Sequence, residues 1–164
     1  MTMVACACLA LALPSIACAE TLTIELTSWT TIETQHLLPH TTTPRKGDFI
    51  DFRDLLLNRG KAQFGRPSGK AVAWDEGLVR YTSSTATTIM VLVTFPGLGT
   101  ILYAGTELKQ QNGDEILPIV HGTGAFKGAK GTVTIGPGAN TSPNTFRVTI
   151  PGNGIDISSG AQAA

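Results

Sequence analysis

From Thr21 onward, apolar and polar residues alternate with a period of two, the pattern of strands with one covered face. In "TLTIELTSW", Leu22, Ile24 and Leu26 share one face, while Thr23, Glu25, Thr27 and Trp29 share the other. Seven further runs predict strands: "DFIDFRDLL" (Asp48 to Leu56), "GKAVAW" (Gly69 to Trp74), "TTIMVLVTF" (Thr87 to Phe95), "GTILYAGTEL" (Gly99 to Leu108), "EILPIV" (Glu115 to Val120), "KGTVTI" (Lys130 to Ile135) and "NTFRVTI" (Asn144 to Ile150). Pro96-Gly97, Asn112-Gly113, Gly136-Pro137-Gly138 and Pro151-Gly152 punctuate them. No segment carries the 3.6-residue period of an amphipathic helix. About eight strands at this spacing predict an all-β closed antiparallel barrel or a sandwich.

The first nineteen residues follow a different rule. "VACACLALAL" (Val4 to Leu13) is an apolar run ended by Pro14, and Ala17-Cys18-Ala19 is a small-x-small cleavage pattern. Residues 1–19 therefore read as a secretory leader cleaved near Ala19, giving a secreted or extracytoplasmic protein. A lipid anchor at Cys18 is the alternative, although "MTM" lacks the basic start of a leader and Ser15 stands where a lipoprotein has leucine. Residues 20–151 form the predicted barrel domain, and 152–164 a small, polar, loose tail. No run is long enough to be a membrane-spanning helix.

Composition narrows the chemistry. Of 164 residues, twelve are basic and twelve acidic, so no net charge draws the chain to nucleic acid or an anionic membrane. All three cysteines (Cys6, Cys8, Cys18) lie in the leader, leaving the mature chain no disulfide or thiolate. His36, His40 and His121 have no carboxylate at a ligand spacing, so neither a metal nor a cofactor is expected. Gly124 to Gly131 is glycine-rich, but "TVTI" follows it, and a phosphate loop opens a helix. That stretch predicts a tight corner between two strands. Asn140-Thr141-Ser142 matches a glycosylation sequon, a match that chance explains.

Acidic residues inside strands are the unusual feature. The period alone makes Leu22, Ile24 and Leu26 core and turns Glu25 to water. If the mixed face pointed inward instead, Glu25 would sit in a partly dry lumen, where a carboxylate's pKa rises. "DFIDFRD" places Asp48, Ile50, Phe52 and Asp54 on one face of its strand.

"GTGAFKGAKGTV" (Gly122 to Val133) resembles the glycine-rich hairpin of the allene oxide cyclase and dirigent proteins, with His121 replacing the first glycine of that pattern. "GDFIDFRDLLLNRGKAQFGRPSG" (Gly47 to Gly69) resembles a second cyclase block, and "GTILYAG" (Gly99 to Gly105) falls where those families have a strand ending in glycine. The resemblance spans roughly Leu22 to Ile150. It implies an eight-stranded antiparallel barrel of the allene oxide cyclase/dirigent type with an apolar lumen, assembled as a dimer or trimer. It also implies that Glu25 faces inward as the catalytic glutamate, with Asp54 as its partner. Thr27, Trp29, Phe52, Ala71, Tyr103 and Glu107 are then candidate substrate-binding positions. Leu22, Ile24 and Leu26 would face outward and need a subunit to cover them. The proline-bearing Asn-Glu-Arg-Asp segment of the cyclases is absent, and "SWTTIETQHLLP" stands in its place.

Three functions follow as expectations. One is a dirigent-like barrel that orients a small hydrophobic molecule beside a secreted oxidase. The second is an intramolecular cyclase or isomerase using Glu25 as acid and base. The third is an exported scaffold or carrier without chemistry.

Overall fold

A computed structural model describes residues 19–39, 43–108, 113–138, 141–151, 155 and 157. Residues 1–18 of the leader, His40 and the Asn140 sequon position lie outside the described residues. Eight strands run in chain order: β1 (Glu20–His36), β2 (Phe49–Asn58), β3 (Ala71–Tyr81), β4 (Ala86–Phe95), β5 (Gly99–Leu108), β6 (Glu115–Gly122), β7 (Lys130–Ile135) and β8 (Thr141–Ile150). Each pairs antiparallel with the next, and β8 pairs with β1, which closes the barrel. The only helical turn among the described residues is Gly124–Phe126, between β6 and β7. No helix there is long and apolar enough to cross a membrane.

β5 and β7 keep the bounds that alternation predicts, whereas β1 and β3 run further. β1 continues through "TTIETQH" because β2 pairs with it as far as His36 and Phe49. β3 continues through "DEGLVRY" because β2 and β4 flank it. There the Phe52 ring lies over Gly77, where an added Cβ would collide with it. Cross-strand pairing outweighs the weak strand propensity of Asp, Glu and Gly.

Alternation decides the inside. Ile24, Leu26 and Ser28 of β1 are buried, so the aliphatic face points into the barrel. This reverses the orientation that the family resemblance implied, and the cause is simple. A single barrel fills its interior with its most apolar face. Val91, Val93, Ile101, Tyr103, Leu117, Val133, Phe146 and Val148 complete the inner wall.

One end of the barrel is plugged. Phe95 stacks obliquely between Phe64 and Phe126, with ring centroids 5.1 and 4.9 Å away. The buried Gln63 holds the β1 edge, accepting from the Glu25 N–H and donating to the Glu25 carbonyl. Ile155 and Ile157, in the segment expected to be a loose tail, are also buried against this core. Toward the opposite end, Thr30, Phe52, Val79 and Ile135 are only half-buried.

Candidate functional site

Two aspartates face each other on the inner wall. Asp54 of β2 and Asp75 of β3 are directly paired in the antiparallel register. They are 8% and 1% exposed, so neither is solvated as a surface carboxylate would be. Their row continues to Thr30 on one side and to Val93 and Ile101 on the other. The adjacent row is Phe52, Gly77, Val91 and Tyr103. Gly77 is where the Phe52 ring finds room, next to the acids.

Local sequence places them. In "AVAWDEGLVRY" the inward face carries Ala73, Asp75, Gly77, Val79 and Tyr81, a small and apolar series interrupted by one acid. In "FIDFRDLLLN" the inward face carries Phe52, Asp54, Leu56 and Asn58. A β-bulge in β1 at Thr31 lies beside this row; the register passes from Thr30↔Asp54 to Ile32↔Arg53, and the Thr31 hydroxyl donates to the Arg53 carbonyl at 2.8 Å. The extra residue changes which side chains turn inward. Beyond it Glu33 pairs with Phe52 and lies close enough to raise the pKa of Asp54.

The electrostatics favour one retained proton. Burial pushes the Asp75 carboxyl up to about 8, the Asp54 charge adds to the rise, and the Asp54 backbone N–H donates to Asp75 and opposes it. The pKa of Asp54 is raised as well, chiefly by burial, with the Thr30 and Ser28 hydroxyls opposing and Glu33 adding. Two carboxyls side by side in a dry wall cannot both ionise cheaply, so the pair keeps one proton at neutral pH, seated mainly on Asp75. The arrangement can therefore donate a hydrogen bond or proton from one carboxyl and accept with the other. Asp54 Oδ1, Asp75 Oδ1 and Asn144 Oδ1 are buried and have no hydrogen-bond partner.

The residues singled out from the sequence separate into two groups. Asp54, Phe52 and Tyr103 share the inner wall, Tyr103 meeting the edge of Phe146 at 6.1 Å. Glu25, Thr27 and Trp29 lie on the outer face of β1. The Glu25 side chain is 38% exposed, with Oε1 3.9 Å from Arg59 Nη2, and Trp29 is 54% exposed. Glu25 is five residues from Thr30, the partner of Asp54, which is roughly 17 Å of strand. Glu25 and Asp54 are thus on opposite sides of the wall and do not form the expected pair. Ala71 is half-buried at the start of β3 opposite Leu57, and Glu107 lies on β5 opposite Thr87. Asp75, Ser28, Thr30, Glu33 and Asn144 were not singled out. Asp75 could have been found as the single acid on an otherwise apolar face, had β3 been extended past Trp74. Among the described residues, no group of three or more His, Cys, Asp or Glu side chains could hold a metal.

No family model and no curated protein matches the chain. Solved structures do. A pyocyanin demethylase is 20% identical with a TM-score of 0.64, covering 78% of this chain and 100% of that one. A pterocarpan synthase dirigent protein is 13% identical with a TM-score of 0.63, covering 82% and 97%. The Diels Alderase AbmU from Streptomyces koyangensis is 16% identical with a TM-score of 0.63, covering 88% and 74%. What this chain has in common with these dirigent and cyclase proteins is one fold, the closed eight-stranded antiparallel β-barrel.

Proposed function

We propose that the barrel binds a small, largely apolar molecule in its lumen and orients it for ring closure or stereoselective coupling. The observation that carries this reading is the in-register Asp54–Asp75 pair, set in an apolar wall with carboxylate oxygens left unpartnered. Buried polar atoms without partners are rare and costly, and a ligand's donors would satisfy them. The apolar wall would fix the substrate's shape, and orientation alone can supply a large share of a cyclisation's rate. Asp75 holds the proton and Asp54 the charge, so the pair serves as anchor and as acid and base. Dirigent-like coupling beside an oxidase and unaided cyclisation use the same lumen. They differ in whether the purified protein turns over substrate alone or only changes product stereochemistry once an oxidase is added.

Lumen binding is tested with N-phenyl-1-naphthylamine, a neutral apolar dye that brightens on leaving water. A saturable one-site rise in emission, abolished in Phe52→Trp if that ring blocks the mouth, is expected. No saturable rise in wild type would mean a filled core and favour the scaffold reading. Export belongs to the same proposal: the mature protein should begin at Glu20, and mass spectrometry of secreted material would show it. A retained leader would contradict export with cleavage.

A further inference from the structure

We infer that the lumen takes a ligand bearing a cationic nitrogen on an aromatic or apolar frame; this rests on the lumen-binding reading above. Charge balance carries the argument. Three acids gather toward this end: the exposed Glu33 beyond the bulge, and Asp54 and Asp75 side by side on the inner wall. None of the three stands in an ion pair among the described residues. Among the described residues every lysine, and every arginine except Arg59, is exposed. Arg59 lies on the outside, donating to Thr145 Oγ1 at 2.8 Å beside Glu25. His36, the one described histidine near this end, pairs with Asp51 and stacks on Phe49, away from the inner row.

A second observation points to the same ligand independently of the acids. Asn144 is 3% exposed, faces the lumen between Leu26 and Ile135, and has a carbonyl oxygen without a partner. It lies one inward position from Ser142, the partner of Ser28; the Ser28 hydroxyl donates to the Ser142 carbonyl at 3.3 Å and lies close enough to lower the pKa of Asp54. The open ends of this polar stripe are therefore all acceptors, and a cation is the ligand that satisfies acceptors and charge together. A bare metal ion does not suit it, since among the described residues no three His, Cys, Asp or Glu side chains converge to hold one. Phe52, Tyr103 and Phe146 supply ring faces and edges along the same wall, a setting that favours an organic cation over a hydrated one. The acidic entrance would also raise the local concentration of cations and speed their entry.

The experiment titrates the full-length mature protein with N-methylquinolinium, a permanent cation, and with its neutral isostere 1-methylnaphthalene, at several pH values. Binding of the cation should tighten roughly tenfold as the pH rises from about 6 to about 9, because the proton on Asp75 competes with the positive charge. The neutral isostere should show no such slope. Asp75→Asn should abolish the slope, and Asp54→Asn should weaken cation binding at every pH; Glu76→Gln, on the outer wall, should change neither. Circular dichroism establishes that each variant is folded, and the wild-type slope stands without any variant. Equal affinity for the two probes with no pH slope would overturn the cationic class and leave lumen binding intact. Failure of both probes to bind would overturn lumen binding itself.

Discussion

Asp75 is the described carboxyl that its surroundings disturb most, because burial and the neighbouring Asp54 act on it in the same direction. Its folded-state pKa of about 8 lies above the ordinary value of 3.8. Between those values the folded protein binds one more proton than the unfolded chain. Stability must therefore fall as pH rises through that window and level off above it. Asparagine copies the protonated carboxyl without ionising. Asp75→Asn should match wild type near pH 3 and exceed it by about 2 kcal/mol or more near pH 9 in urea unfolding. A variant no more stable than wild type at high pH would show that Asp75 ionises freely. Glu25 belongs to a different environment, half-exposed beside Arg59. Glu25→Gln should leave dye binding in the lumen unchanged, and a loss of binding would return Glu25 to the site.

At the scale of elements, the glycine-rich corner between β6 and β7 was the most legible part of the sequence. Gly124 adopts a φ of +59°, and an added Cβ would collide with the Leu98 backbone oxygen. Gly124→Ala should cost about 2 kcal/mol or more. Gly113→Ala, where nothing lies within 4 Å, should stay within about 0.5 kcal/mol on the same unfolding curve. Comparable losses would mean the corner is not held as described. Other elements were less legible for identifiable reasons. The extension of β3 through Asp75 and Gly77 depends on its neighbours β2 and β4, which local propensity does not register. The bulge at Thr31 leaves no mark in "SWTTIETQH", yet it brings Glu33 to the Phe52 row. Period alone pointed the aliphatic face of β1 inward. The resemblance to cyclases pointed it outward, and the apolar demand of the barrel interior decided the matter.

At the scale of the molecule, eight runs of alternation and their turns leave a closed barrel or a sandwich, and the resemblance to the cyclase and dirigent proteins points to the barrel that forms; the site is only half legible. Asp54 was identified because it interrupts a strand pattern, but its partner was sought on the wrong strand. The inward turn of Ile24 and Leu26 also removes the reason for expecting a subunit to cover them. The dimer or trimer that the family resemblance implies would have to cover other outer side chains, such as the exposed Met90, Leu92, Ile116 and Val120. Sedimentation at micromolar concentration tests it: a trimer or dimer is expected, and a monomer would contradict it. At neutral pH the two inward carboxyls together keep one proton, and their titration can be observed directly. Carbon-13 NMR of labelled aspartate should show the Asp75 carboxyl titrating with a midpoint of about 8, moving down in Asp54→Asn as the neighbouring charge is removed. An Asp75 midpoint in the ordinary carboxylate range, unmoved by that substitution, would contradict the account.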